Sequence, residues 1–451
     1  IVGGDIMSGP RGTEDLRKAA GEVFQAALDA ANPRIAIHRH VRREGERLLV
    51  DGAVYDLSRG RVYVVGAGKA CAAMAAAVEE VLGDRIRDGV VVVKDGYAVP
   101  LRRIRVTQAG HPVPDARGVE GTSAILALLT ETGPEDLVIV LISGGGSALL
   151  PAPVAGIDFI DKQTMTRVLL ACGATIEEIN AVRKHCSRIK GGQMARALFP
   201  ARSLTLILSD VIGDPVDAIA SGPTVPDTTT YGEALEVLRR YRIEDRIPVS
   251  ILRHLERGAR GEIPETPKAG DPCFATAHHR IVGNNLQSLL AARDRAARLG
   301  FQALILTTEL KGESREVAKV LTALLLEMRR SGHPVSPPAC LLLGGETTVT
   351  VRGKGKGGRS QELVLAGAIA IAGGRDLVIW SAGTDGTDGP TDAAGAVADG
   401  DTWARAKEVG LDPLRALEEN DAYHFFEGLG DLIKTGPTLT NVMDILLLLA
   451  G

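Results

Sequence analysis

The sequence is poor in aromatic residues, with Phe, Tyr and Trp at 3% of 451 positions. A core built on stacked rings is excluded, and burial must come from aliphatic side chains. Cysteine is scarce too. Cys71, Cys172, Cys186, Cys273 and Cys340 are scattered, odd in number and form no Cys-x-x-Cys pair. A disulfide framework and the usual zinc-ligand spacing are thereby excluded, and a reducing cytoplasm is the expected setting. The apolar run at 445–450 is far too short to span a bilayer, and no signal-peptide pattern opens the chain, so no membrane partner is expected. Charge of one sign is also lacking. The formal net charge is -4 with acids and bases interspersed, which removes the basic footprint of a nucleic-acid binder.

What the chain has is aliphatic residues and glycine. It is 45% hydrophobic and 24% charged, and many of its 53 glycines follow apolar segments. Its length predicts two domains. Met7 is the expected natural start, with residues 1–6 an expression remnant. The opening Ile1-Val2-Gly3-Gly4 resembles the start of trypsin-like proteases, but their nucleophile segment and disulfides are missing, so that reading is discarded.

Apolar spacing predicts a helix over 13–31 capped by Thr13, and Asp51-Gly52 predicts a hairpin over 48–57. Strands then alternate with helices: strands at 61–65, 90–93, 104–107, 137–142 and 204–208, with helices at 69–82, 115–129, 158–171 and 176–198. Short buried strands between helices predict an α/β fold with a mainly parallel sheet. The stretch 258–271, rich in Gly, Pro and charge, reads as a linker between domains 1–260 and 270–451. In the second half, helices are expected at 286–299, 313–328 and 361–372, with strands at 281–282, 303–306, 341–343, 347–351, 377–380 and 445–449.

Five segments at strand ends, where open α/β sheets bind ligands, carry chemistry. Gly66-Ala67-Gly68-Lys69-Ala70 brings glycines and a cation to a helix start, without the spacing of a P-loop or a full dinucleotide fingerprint. Taken alone it reads more readily as an ordinary turn with a solvated lysine. Ser143-Gly144-Gly145-Gly146-Ser147 suits a nest of backbone N–H groups for an anion. Ser209-Asp210-Val211-Ile212-Gly213-Asp214 offers carboxylates for a cation or a hydroxyl proton, with Asp210 preferred over Asp214, which suits a turn before Pro215. Gly344-Gly345-Glu346 and the glycine- and lysine-rich run that follows lead to Arg359 at a helix start, where a guanidinium fork suits phosphate or carboxylate. Asp385, Asp388 and Asp392 crowd a glycine-rich loop and suit Mg²⁺ bridged to phosphate. His111 stands at another strand end. The run 183–192, which includes Lys190, is basic enough to attract an acidic substrate, although a solvated helix end would look the same.

In order and spacing, Gly66–Ala70, His111–Asp115, Ser143–Leu149, Arg183–Gly192, Ser209–Pro223, Gly344–Glu362 and Ser381–Asp392 resemble the class II glycerate kinases, whose C-terminal portion is the MOFRL region, here about 335–450. The resemblance runs from about residue 15 to 449. It implies two α/β lobes, one Rossmann-like and one mixed, with the active site in the cleft between them and the first helix free to pack on the second lobe. It implies ATP-dependent phosphorylation of D-glycerate, usually to 2-phosphoglycerate, with Mg²⁺ or another divalent cation. Lys69 and Arg359 match the family's cleft cations. On this reading Lys69 and Arg359 face the transferring phosphoryl group or the substrate carboxylate, and Asp210 takes the hydroxyl proton. Gly66, Gly68, Ser143, Gly144, Gly145, Gly146, Ser147, His111, Lys190 and Glu346 bind substrate or phosphate, and Asp385 and Asp388 hold the metal. An NAD(P)H-dependent hydroxypyruvate reductase and a non-catalytic sugar-acid-binding protein are the alternatives. A homo-oligomer stays open.

Overall fold

The computed structural model describes residues 12–451, so the Met7 start and the Ile1-Val2-Gly3-Gly4 opening lie outside the described residues. The chain divides into two compact units, Ala36–Val282 and Gly283–Gly451, the latter joined by the N-terminal segment up to Ile35.

The Ala36–Val282 unit opens with a small antiparallel sheet of β1 (Val41–Glu44), β2 (Arg47–Val50) and β3 (Ala53–Asp56). Val50 pairs with Ala53 across Asp51 (φ 47°) and Gly52 (φ 90°), the two left-handed residues a tight hairpin requires. The main sheet follows: β4 (Val62–Ala67), β5 (Ile86–Lys94), β6 (Ile104–Ala109), β7 (Leu137–Ser143), β8 (Arg202–Leu208) and β9 (Ala277–Gly283), in the order β6-β5-β4-β7-β8-β9. β4 to β8 pair in parallel, and β4 and β7 at the centre are buried along their whole lengths, which is why they read as unbroken aliphatic runs. Chain order reverses between β4 and β7. That is the switch point where the loops beyond adjacent strands diverge and leave a crevice.

The segment 258–271 runs within this unit and leads into β9. A helical layer of Phe159–Ala171, Ile176–His185, Tyr231–Arg240 and Val249–Ala259 closes around Met165, Val182, Leu238 and Leu255. The expected single helix over 176–198 is two. It stops at His185 and restarts at Gln193, because Gly191 (φ 57°) and Gly192 (φ 78°) turn left-handed and donate their N–H groups to Ser221 and Gly222.

The second unit holds β10 (Gln302–Leu310), β11 (Ala339–Gly345), β12 (Leu377–Gly383), β13 (Gly395–Asp399), β14 (Leu432–Ile433) and β15 (Asp444–Ala450), in the order β10-β11-β15-β12-β13-β14. β10 and β11 are parallel and the other pairs antiparallel, so the sheet is mixed. β15 is central, and its leucines alternate between two cores, as a period of two demands. Leu446 and Leu448 join the helices Ser314–Ser331 and Arg359–Ala370, while Leu447 and Leu449 join Thr13–Ala31 and Asn285–Arg298. Two expectations fail here. Thr13 begins the first helix but does not cap it: Gly12 occupies that position without a side-chain bond. Residues 347–351 are not a strand, because β10 and β15 already fill both edges of β11. Thr348 instead bonds Gly312 and Ser314 through its backbone.

Candidate active site

The turn after β4 is tied to the turn after β7. The Gly68 N–H donates to the Val92 carbonyl at 3.1 Å and the Lys69 N–H to the Gly144 carbonyl at 2.8 Å. The Ala70 N–H donates to Ser143 Oγ at 2.9 Å. A Cβ on Gly66 would lie 2.0 Å from the Leu141 carbonyl oxygen, and one on Gly68 2.1 Å from Ser143 Oγ. These glycines are therefore fixed by the approach of β7, and the N–H groups of residues 68–70 are spent inside the protein. The expected backbone cradle at 66–70 does not form; what the turn presents is the half-buried Lys69.

Gly145 (φ 83°) starts a short helical turn, Gly146–Leu149, whose first N–H groups have no acceptor within the helix. A side chain at Gly145 would strike the His111 imidazole, 2.8 Å from Nε2. Ser147 Oγ shares a 2.9 Å hydrogen bond with Ser221, which donates to Asn180 at 3.1 Å. Ala220 (φ 51°), Ser221 (φ 62°) and Gly222 (φ 57°) are left-handed in succession, a strained path that presses Ser221 on the glycine loop.

Beside this loop lies a cavity of about 300 Å³ whose lining includes His111, Gly145, Ser147 and Lys190. The structure brings these four expected residues together and adds two more cations, Lys162 and Arg183. Lys190 donates to the Ser147 carbonyl at 2.8 Å and Lys162 to the Cys186 carbonyl at 3.3 Å. Burial lowers the pKa of all three cations: Lys162 falls to about 8 and Lys190 well below the usual lysine range. Asp210 stands half-buried just beyond β8.

In the second unit, Arg359 opens the helix Arg359–Ala370. Its Nε and Nη2 donate to the two oxygens of Asp444 at 2.6 and 2.9 Å, and Nη1 donates to Glu346 at 2.6 Å. Asp444 begins β15 and faces Gly345 of β11 on one side and Gly383 of β12 on the other. The antiparallel central strand thus delivers a carboxylate to the carboxyl ends of its neighbours. Burial opposes the charge on Arg359, but Asp444 and then Glu346 outweigh it and raise its pKa.

Asp388, expected among the metal ligands, accepts hydrogen bonds from a helix start. Its two oxygens accept the Ser360 and Gln361 N–H groups at 3.1 and 2.8 Å, pinning the start of Arg359's helix. Burial first, then the neighbouring Asp444 charge, push it up to about 7, against the pull of those N–H groups and of Arg359. Asp385 Oδ1 accepts from the Thr387 N–H and hydroxyl, both at 3.0 Å. Among the described residues no three His, Cys, Asp or Glu side chains gather into a cation cage. No described helix is long and apolar enough to cross a membrane.

Comparison with known proteins identifies the family. The model of a domain of unknown function, DUF4147, matches residues 19–256, and that of the MOFRL family matches residues 339–444. A glycerate 2-kinase of Pyrococcus horikoshii is 42% identical over 96% of this chain and 97% of its own. A protein of Agrobacterium vitis that bears the provisional name of hydroxypyruvate reductase is 44% identical over 96% and 94%. The crystal structure of glycerate kinase from Thermotoga maritima superposes with a TM-score of 0.86 at 40% identity, covering 97% of this chain and 100% of that one. Both halves of the sequence, and the fold that carries Lys69 and Arg359, place the chain in the glycerate kinase family that joins DUF4147 to MOFRL.

Proposed function

We propose that this protein transfers the γ-phosphoryl group of ATP to the 2-hydroxyl of D-glycerate, giving 2-phosphoglycerate and ADP. The observation that carries the reading is the state of Arg359. Of the five N–H donors of a guanidinium, three serve Asp444 and Glu346, so the group is fixed in orientation and keeps two donors for an incoming oxyanion. Phosphoryl transfer needs this kind of positioned charge more than it needs covalent chemistry.

Lys69 and Arg359 are assigned to the transferring phosphoryl group, the Ser143–Ser147 loop to oxyanions, and Asp210 to the proton of the attacking hydroxyl. The fit to Mg²⁺ rests on donor chemistry. Asp444 and Glu346 bring two negative charges to the single charge of Arg359, and Asp385 adds another hard oxygen donor: a Cβ on Gly383 would lie 3.3 Å from Asp444 Oδ1 and 3.5 Å from Asp385 Oδ1. Mg²⁺ commonly takes one or two carboxylates with substrate phosphates and keeps its waters, so no closed protein cage is required. Asp385 would hold it, and it would neutralise phosphate charge. Asp388 is assigned to orienting Arg359 through the helix start.

The test is direct. Protein given ATP, Mg²⁺ and D-glycerate should release ADP, and EDTA should stop it. Enolase alone should then consume the product, whereas 3-phosphoglycerate would need a mutase first. The name carried by the Agrobacterium relative sets the second arm: NAD(P)H oxidation with hydroxypyruvate, without ADP release from glycerate, would overturn the assignment.

A further inference from the structure

The Ala36–Val282 unit contains two kinds of buried lysine. Lys184 is paired, its ammonium 3.2 Å from the buried carboxylate of Asp227. Lys162 and Lys190 are just as deep, 6% and 2% exposed, yet meet only backbone carbonyls. Arg183, one residue before the paired lysine, is half-buried. Among the described residues no carboxylate lies within ion-pair distance of Lys162, Arg183 or Lys190. All three line the same cavity of about 300 Å³, and its lining contains no Asp or Glu. Burying a charge without a partner is costly, and a fold that pairs Lys184 has the means to avoid it. Three such cations around one hollow point to a ligand that supplies the missing negative charge.

The size and chemistry of the cavity favour one ligand. About 300 Å³ is at the small end for ligand pockets and suits a compact acid. Phe159 and Pro114 add apolar wall, while His111 and Ser147 supply polar groups for hydroxyls. A metal-bound triphosphate would find no carboxylate here to share its cation. We propose that this cavity is the acceptor pocket, in which Lys162, Arg183 and Lys190 bind the carboxylate of a small hydroxy acid and make that carboxylate a condition of turnover. This deepens the proposed function and rests on it for the identity of the acid.

The electrostatics agree. Lys162 is faced by the Cys186 carbonyl and by Arg183, and the Cys186 thiol stays protonated, pushed up to about 12. Lys190 is faced by Lys162 and Arg183. Desolvation and mutual repulsion hold both ammonium groups down, and an entering carboxylate reverses the second effect, so binding near pH 8 takes up protons.

Lys162→Met and Arg183→Met test this. Lys162→Met removes an uncompensated buried charge and should melt no lower than wild type. Each variant should raise KM for D-glycerate roughly ten- to a hundredfold, the worth of a lost charged hydrogen bond, with KM for ATP within about twofold. Without nucleotide, D-glycerate should raise the wild-type melting temperature, and glycerol, which lacks the carboxylate, should not. Calorimetry in two buffers at about pH 8 should show proton uptake on D-glycerate binding, reduced in Lys162→Met, where only Lys190 is left to take up a proton. A raised KM for ATP with unchanged D-glycerate KM would overturn the pocket in favour of a nucleotide phosphate site. Unchanged constants in both variants, or an equal response to glycerol, would overturn it outright. Wild-type protein that binds D-glycerate with proton uptake but releases no ADP would overturn phosphoryl transfer and leave the pocket standing.

Discussion

A guanidinium that gives three donors to two carboxylates cannot turn without breaking ion pairs, and this fixity is what an oxyanion would exploit. Lysine offers a point charge on a flexible stem. Arg359→Lys should therefore lower kcat by about a hundredfold or more with the melting temperature nearly unchanged. Asp444→Asn, which leaves one acceptor for two donors, should shift kcat in the same direction by less; steady-state rates at saturating ATP check both. Asp388 gives a pH dependence. Burial and Asp444 push its folded pKa up to about 7, above the ordinary aspartate value of about 4, so its contribution to stability is complete below about pH 4 and is lost as pH rises through 7. Asp388→Asn carries no charge in either state. The stability difference between wild type and variant, from denaturant midpoints, should move against wild type between pH 4 and 7 and level off above. A difference flat across that range refutes the assignment. Arg359 was legible because a glycine-rich run ends abruptly at a helix start. Asp444 was not, because its partner is 85 positions away and its neighbours read only as an apolar strand. Lys162 was hidden for a similar reason: nothing local distinguishes a buried helical lysine from one in water.

At the scale of elements, the left-handed segment Ala220-Ser221-Gly222 spends backbone strain, of order 1–2 kcal/mol for each non-glycine residue, to hold Ser221 on Ser147 and to accept the Gly191 and Gly192 N–H groups. Strain of this kind persists where the surroundings over-determine it. Ser221→Ala keeps those backbone bonds and loses only the hydroxyl between Ser147 and Asn180. It should lower kcat/KM roughly ten- to a hundredfold through a slackened glycine loop while melting within a few degrees of wild type. Unaltered kinetics would mean that Ser147 needs no such anchor. The hairpin at Asp51-Gly52 was readable because one dipeptide holds the whole turn requirement. Residues 347–351 misled because alternation shows that a segment could pair but not whether a neighbouring strand has an open edge. The break at Gly191-Gly192 depends on acceptors thirty positions downstream, so helical periodicity ran past it.

At the scale of the molecule, the two units differ in how the chain builds them. Ala36–Val282 is continuous, whereas the second unit needs the helix Thr13–Ala31 to cover one face of its sheet. Leu16, Val23, Phe24 and Leu28 are at most 8% exposed there. At roughly 1.5–3 kcal/mol for each side chain, that burial is worth about 6–12 kcal/mol, comparable with the whole stability of a typical domain. A fragment of residues 283–451 should therefore lack a cooperative transition, and fusing residues 12–35 to its N-terminus through a flexible linker should restore one. The two tryptophans, Trp380 and Trp403, both lie in this unit, so their fluorescence reads it alone. Trp380 packs on Phe24, with ring centroids 5.7 Å apart. Its emission should shift to longer wavelength in the short fragment and return in the fusion, while residues 36–282, whose sheet is complete without the helix, should fold unaided. A short fragment with native emission and a sharp unfolding transition would show that the sheet face closes without its N-terminal helix.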